Sequence, residues 1–331
     1  MIVTRTPLRI SLFGGGTDIP AYFNKHGGAV LSFATKLYMY ILMNPRFDST
    51  VRLGYSVTEE VDNVYALQHT LARECLLSAG IETGIEVVSV ADVPQGTGLG
   101  SSSSYAVGLI HASKHCMHIE HTNEDLAREA CVIEIDKLHK PIGCQDQYAA
   151  ALGGMNVIEF SKTGIKHRAV TVDTTKLLDS MLLVYTGRSR SADIVLKDQQ
   201  ERVAEHDKAA LKTLASMKKL VYMAEQYLDD LDVLGEMLNE EWRLKRTLSH
   251  QITVDSVNHI YDTGLKNGAI GGKLLGAGGG GFVLFVSKDR PKLEEVFKDH
   301  KLLYPRLDTE GSVVLYETNN DTCSRARYTI S

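Results

Sequence analysis

The run Pro94-Gln95-Gly96-Thr97-Gly98-Leu99-Gly100-Ser101-Ser102-Ser103-Ser104 is the segment of this chain best suited to chemistry on phosphate. It lies between a strand-like stretch ending near Val90 and a helical pattern that opens with the serines. Alternating glycines let backbone N–H groups converge on one anion, a helix N-terminus adds unpaired donors, and hydroxyls supply further donors and a ligand for a hard cation. That combination is a triphosphate cradle. The same residues would also serve as a flexible turn followed by a serine cap, although four serines exceed what one cap requires. Two familiar nucleotide loops do not apply. The pattern G-x-x-x-x-G-K-[ST] fails because Gly272-Lys273 is followed by Leu274. Gly276-Ala277-Gly278-Gly279-Gly280-Gly281 fits G-x-G-x-x-G, but it precedes strand-like Phe282-Val283-Leu284-Phe285-Val286 where a dinucleotide site needs a helix.

Two carboxylates stand out. Thr122-Asn123-Glu124-Asp125 has the form of a capping box and opens a helix running towards Pro141. At about 100° per residue, Ala127, Ala130, Cys131, Glu134 and Leu138 share one face and Asp136 lies opposite, so Glu134 is predicted to point inward. A buried carboxylate needs a cation, either a basic side chain or a metal ion, and the serine-rich helix start makes Mg²⁺ a competitor of the ion pair. Further on, Lys140-Pro141-Ile142-Gly143-Cys144-Gln145-Asp146-Gln147 is a Pro-Gly turn feeding a helix start, where Asp146 taken alone reads as an N-terminal cap.

The elements that must position these groups follow from periodicity. Strand-like spacing covers residues 2–12, 37–43 and 85–90, and helical spacing covers 101–115, 123–139, 192–226 and 232–250. A strand over 281–287, a helix over 291–300 and a strand over 312–317 close the chain. Strands, then helices, then a strand-helix-strand ending imply an α+β protein of two domains, divided here as 1–172 and 173–331 near the Ser161-Lys162-Thr163-Gly164 turn. The chain of 331 residues is 44% hydrophobic, enough for a large core. With 36 Lys and Arg against 41 Asp and Glu it carries no basic field for nucleic acid or an anionic membrane, which leaves a small-molecule partner. Five cysteines without a C-x-x-C pair argue against a disulfide framework and a zinc site. The opening MIVTRTPLRISLFGGG lacks a signal-like apolar stretch, and no run approaches about 18 apolar residues, so a soluble cytoplasmic protein is expected.

Together these motifs resemble the GHMP superfamily of small-molecule kinases, the group of galactokinase, homoserine kinase, mevalonate kinase and phosphomevalonate kinase. The first motif is matched by Thr6-Pro7-Leu8-Arg9-Ile10-Ser11-Leu12-Phe13-Gly14-Gly15-Gly16-Thr17-Asp18, the second by residues 94–104, and the third by residues 273–282. Within the superfamily, residues 14–20, 143–150 and 185–192 look most like the branch acting on D-glycero-D-manno-heptose 7-phosphate, and L-fucokinase domains share much of that pattern. The resemblance implies a two-domain fold with a left-handed β-α-β N-terminal domain and a ferredoxin-like C-terminal domain. It assigns Gly96, Thr97, Gly98, Leu99, Gly100, Ser101, Ser102 and Ser103 to the ATP phosphates, Ser102 and Glu134 to Mg²⁺, and Asp146 with Arg9 to catalysis. Gly15, Gly16, Thr17, Asp18, Gly278 and Gly279 would meet the sugar. Ser103-Ser104 replace a small apolar pair usual in the family, which blurs the choice of metal-binding hydroxyl.

The chemistry implied is phosphoryl transfer to the anomeric hydroxyl of the heptose phosphate, giving a 1,7-bisphosphate and ADP, with Asp146 taking the hydroxyl proton. A second basic site would then hold the substrate's own phosphate. Arg188 and Arg190 could present bidentate guanidinium groups to it, or they could simply be solvated at a helix start, in which case Lys25 is the reserve candidate. A kinase of L-fucose or another unphosphorylated sugar, and a non-catalytic sugar- and ATP-binding sensor, are the competing readings. The oligomeric state is not encoded in any of these motifs.

Overall fold

The computed structural model describes residues 1–171, 173–189 and 193–318, so candidate Arg190 lies outside the described residues. An 18-residue strand, Gly28–Pro45, forms the spine of the larger sheet. Along one edge it pairs antiparallel with Ile2–Phe13, and along the other it pairs first with Met155–Ser161 and then with Ile85–Ala91. Beyond Ile85–Ala91 lies Val51–Gly54, the parallel pair among the described strands, and then Thr58–Val61. Strand Val313–Glu317 returns from the chain's far end to pair with Ile2–Phe13. A second sheet, in the order Leu302–Leu303, Met181–Tyr185, Phe282–Val286, Gly271–Leu274, is wholly antiparallel.

The first strand is buried on both faces from Thr6 onward. Leu8, Ile10 and Leu12 join Val221, Leu238 and Trp242 in one cluster, which continues into the smaller sheet at Val283 and Phe285. A second cluster holds Met39 and Ile41 against Val107 and Leu109 of the helix Ser101–Cys116. Layers that are apolar on both sides leave the site at their seam, where strand ends and helix starts meet.

Several expected boundaries move for identifiable reasons. The helical run 192–226 is two helices, Asp193–Ala204 and Lys208–Glu225, because His206 adopts a positive φ and Asp207 caps the second through Ala209 N and Ala210 N. The helix from Asn123 is α-helical to Cys131 and passes into a π-turn at Val132–Lys137. Helix Asp255–Lys266 was not anticipated, although Val257, Ile260, Tyr261 and Gly264 mark its buried face at helical spacing. Cys75, Cys131 and Cys144 are free and buried. Among the described residues no helix is long and apolar enough to cross a membrane.

Candidate active site

A cleft of about 680 Å³ opens where the strand Ile2–Phe13, the start of helix Ser101–Cys116 and the loop after Gly271–Leu274 converge. Arg9 reaches it from the first strand and Asp146 from the first turn of helix Gln145–Leu152. Arg9 Nε donates to Asp146 Oδ1 at 2.7 Å and Nη2 donates to Oδ2 at 2.9 Å, a two-pronged pair that fixes the carboxylate plane. The remaining nitrogen, Nη1, donates to the Gly98 carbonyl at 2.5 Å, and the Arg9 N–H donates to the Leu99 carbonyl at 3.0 Å. One side chain thus ties the carboxylate to the glycine-serine loop. Gly100 permits this approach, since at φ +75 a Cβ there would lie 3.1 Å from Arg9 Cγ and 3.2 Å from Asp146 Oδ2.

The loop itself is braced from below. Leu99 is buried in the core and the Thr97 hydroxyl donates to the Pro94 carbonyl at 3.0 Å. Ser104 N–H makes the first intrahelical bond, to the Gly100 carbonyl at 3.0 Å, so the N–H groups of Ser101, Ser102 and Ser103 precede the helical ladder. The Ser104 hydroxyl donates to the Pro7 carbonyl, away from the cleft, which the three serines before it line.

Glu134 is fully buried, as its helical phase predicts. Its Oε1 accepts from Ser102 Oγ and Lys140 Nζ, both at 3.0 Å, and its Oε2 accepts from Ser103 Oγ and Gln147 Nε2, both at 2.7 Å. Lys140 Nζ also donates to Ser102 Oγ at 3.0 Å. A basic side chain therefore supplies the cation that the buried carboxylate requires. The oxygens around that ammonium, a carboxylate and a hydroxyl, are hard donors suited equally to Mg²⁺, and the Lys140 side chain is partly exposed at the cleft. No group of three His, Cys, Asp or Glu placed to hold a metal ion occurs among the described residues.

Asp18 faces the cleft from the turn after the first strand, its Oδ1 accepting from Gly16 N at 2.8 Å and Oδ2 from Gln145 N at 3.2 Å. Burial, and next the charge of Asp146, push its carboxyl up from the ordinary carboxylate range. Gly15, Gly16 and Gly278 line the cleft beside it, whereas Gly279 is turned to donate its N–H to the Ile252 carbonyl. Thr17 is structural: its fully buried hydroxyl lies 2.8 Å from the carbonyls of Gly14 and Ala29, which share its one proton, and it accepts from Ala29 N. Arg188 is exposed and outside the cleft lining, with its backbone carbonyl accepting from Gly281 N. Lys25 lies at the surface, 3.3 Å from His206 Nε2.

Sequence reasoning missed Lys140, Gln145 and Lys245 as cleft residues. Ser11 Oγ and Gln145 Oε1 are buried there with no hydrogen-bond partner among the described residues, and both are polar atoms a hydroxylated ligand could satisfy. Lys245 follows Glu241 by one turn on helix Leu231–Arg246, where Leu234, Leu238 and Trp242 already mark the apolar face. That stripe was the available signal.

Comparison with known proteins agrees with the motif order. Residues 63–154 match the GHMP kinases N terminal domain and residues 217–305 match GHMP kinases C terminal. A D-glycero-alpha-D-manno-heptose 7-phosphate kinase from Campylobacter jejuni is 30% identical over 312 residues, covering 86% of this chain and 88% of that one. The bifunctional fucokinase/GDP-fucose pyrophosphorylase of Arabidopsis thaliana is 26% identical over 88% of this chain but only 30% of its own length. The crystal structure of a D-glycero-D-manno-heptose 1-phosphate kinase from Bacteroides thetaiotaomicron superposes with a TM-score of 0.80 at 20% identity, covering 96% of this chain and all (100%) of that one.

Proposed function

Because this chain belongs to the GHMP kinases, an ATP-dependent sugar or sugar-phosphate kinase by that membership, we propose that it phosphorylates the anomeric hydroxyl of D-glycero-D-manno-heptose 7-phosphate. The products are the 1,7-bisphosphate and ADP. The observation that carries the reading is the two-pronged Arg9–Asp146 pair bonded to the Gly98 carbonyl, which sets a fixed carboxylate beside the loop suited to ATP phosphates.

In this reading, residues 96–103 receive the triphosphate through backbone N–H groups and hydroxyls. Ser102 and Glu134 would hold Mg²⁺, which when bound neutralises charge on the phosphates. Asp146 accepts the proton of the attacking hydroxyl, and Arg9 keeps that carboxylate oriented and stabilises charge that develops nearby. Asp18, Ser11 and Gln145 accept or donate hydrogen bonds to the sugar hydroxyls. The Campylobacter jejuni relative supports a heptose phosphate as acceptor. A kinase of unphosphorylated L-fucose is the second reading, favoured by the Arabidopsis relative and by Arg188 standing outside the cleft.

An ADP-release screen across phosphorylated and free sugars, with mass spectrometry of the product, separates the two. Charge-assisted hydrogen bonds contribute about 1.5–3 kcal/mol each, so heptose 7-phosphate should exceed free heptose in kcat/KM by about 10- to 150-fold or more. Better use of free L-fucose would overturn the heptose-phosphate assignment and leave the kinase assignment intact.

A further inference from the structure

Two of the cleft's cations are already matched, Arg9 by Asp146 and Lys140 by Glu134. Lys245 is different. It is only 9% exposed, it lines the cleft, and its Nζ donates to the Gly276 carbonyl. No carboxylate among the described residues stands within ion-pairing distance of it. Glu241, one turn earlier, instead accepts at Oε1 from Gly14 N at 2.9 Å and from Lys273 Nζ at 3.5 Å. An ammonium has three donors, so a desolvated lysine with one protein acceptor keeps donors free for a ligand oxyanion that enters the cleft.

The position of Lys245 indicates which anion. Gly276 is in backbone contact with Gly98, and Arg9 Nη1 binds the Gly98 carbonyl while Lys245 Nζ binds the Gly276 carbonyl. Two cations, one from each half of the chain, therefore flank a pair of touching glycines at the end of the loop that meets Asp146. We infer that Lys245 contacts the transferring phosphoryl group from the side opposite Arg9, a role that rests on the kinase reading above. During transfer a bond forms between the acceptor oxygen and phosphorus, the bond from phosphorus to the ADP oxygen breaks, and the hydroxyl proton passes to Asp146. Lys245 keeps its protons and donates hydrogen bonds to oxygens on which negative charge is spread. Burial, and next Lys273, push the Lys245 ammonium down to about 7, and an adjacent anionic phosphoryl group favours its charged form.

Lys245→Met retains the apolar stem and removes the charge. Parent and variant are titrated with ADP and with the non-hydrolysable analogue AMP-PNP, each with MgCl₂, and steady-state kinetics and thermal unfolding are measured in parallel. The expected result is an ADP affinity unchanged within about twofold, AMP-PNP binding weakened by about 10-fold, and kcat lowered by about 10²–10³-fold with little change in acceptor KM. Parental AMP-PNP affinity and kcat with a lowered Tm would mean that Lys245 merely fastens Gly276, and the inference would fall. A loss confined to acceptor KM would place Lys245 in the acceptor site and overturn it equally. If Lys245→Met does not fold, Lys245→Gln, which can keep one N–H bond to Gly276, serves the same comparison. A parent that binds neither nucleotide would remove the kinase reading itself, an outcome distinct from an unaltered variant.

Discussion

Gly98 and Gly276 stand backbone against backbone: a Cβ on Gly276 would lie 2.4 Å from Gly98 Cα, and one on Gly98 would lie 2.5 Å from the Leu275 carbonyl oxygen. Both residues have positive φ, so side chains are refused on two counts. This contact sets the second motif against the third. Gly276→Ala should therefore push the loops apart, lowering stability by about 1–3 kcal/mol and weakening ATP binding by about tenfold or more. Denaturant unfolding and nucleotide titration check both effects; parental values for both would show that the contact yields without cost.

Asp146→Asn can retain one bond from Arg9 but cannot take up a proton at neutral pH. The variant should bind nucleotide as the parent does, with kcat reduced by about 10²–10⁴-fold. Near-parental kcat in the folded variant would remove the proton-accepting role.

Glu134 and Lys140 test the cation site from its two sides. Glu134→Gln places an amide N–H₂ towards one of its present donors, Lys140 or Gln147, and should cost about 1–3 kcal/mol while abolishing most Mg²⁺-dependent turnover. Lys140→Met leaves Glu134 buried without its ammonium, so the variant should be less stable in EDTA and should gain more Tm from MgCl₂ alone than the parent does. Equal Mg²⁺ shifts in parent and Lys140→Met would show that the metal does not replace the ammonium there.

The buried lysines make stability depend on pH with a definite sign. Lys245 is held near 7 against an ordinary 10.5, and Lys273 is lowered too, in both cases first by burial. Between those values the unfolded chain binds more protons, so this contribution to stability rises with pH above about 7 and is lost as pH falls through about 7. Lys245→Met should flatten part of the rise between pH 7 and about 10, leaving the share due to Lys273, and denaturant midpoints across that range measure it. An unchanged slope would show that Lys245 titrates normally in the folded protein.

The sequence by itself determined the features that depend on local geometry. Period placed Glu134 on an inward face and the serines at a helix start, and glycine spacing marked the loops where backbone meets backbone. These are readable because the 3.6-residue and 2-residue repeats and the freedom of glycine are properties of short segments. Pairings between distant segments were decided only by tertiary packing. Arg9 and Asp146 are separated by 137 positions, and nothing in either segment specifies that their forks align. Glu241 and Lys245 sit among Glu240, Arg243 and Arg246 in a charged run that reads as a solvated face, yet Trp242 and Leu238 draw that side of the helix into the core. Arg188, whose backbone packs against the cleft glycine Gly280 and accepts from Gly281 N, is nevertheless exposed to solvent. Charge alone does not encode direction; for a long basic side chain, the neighbouring elements decide whether the head group meets water, a carbonyl or an anion.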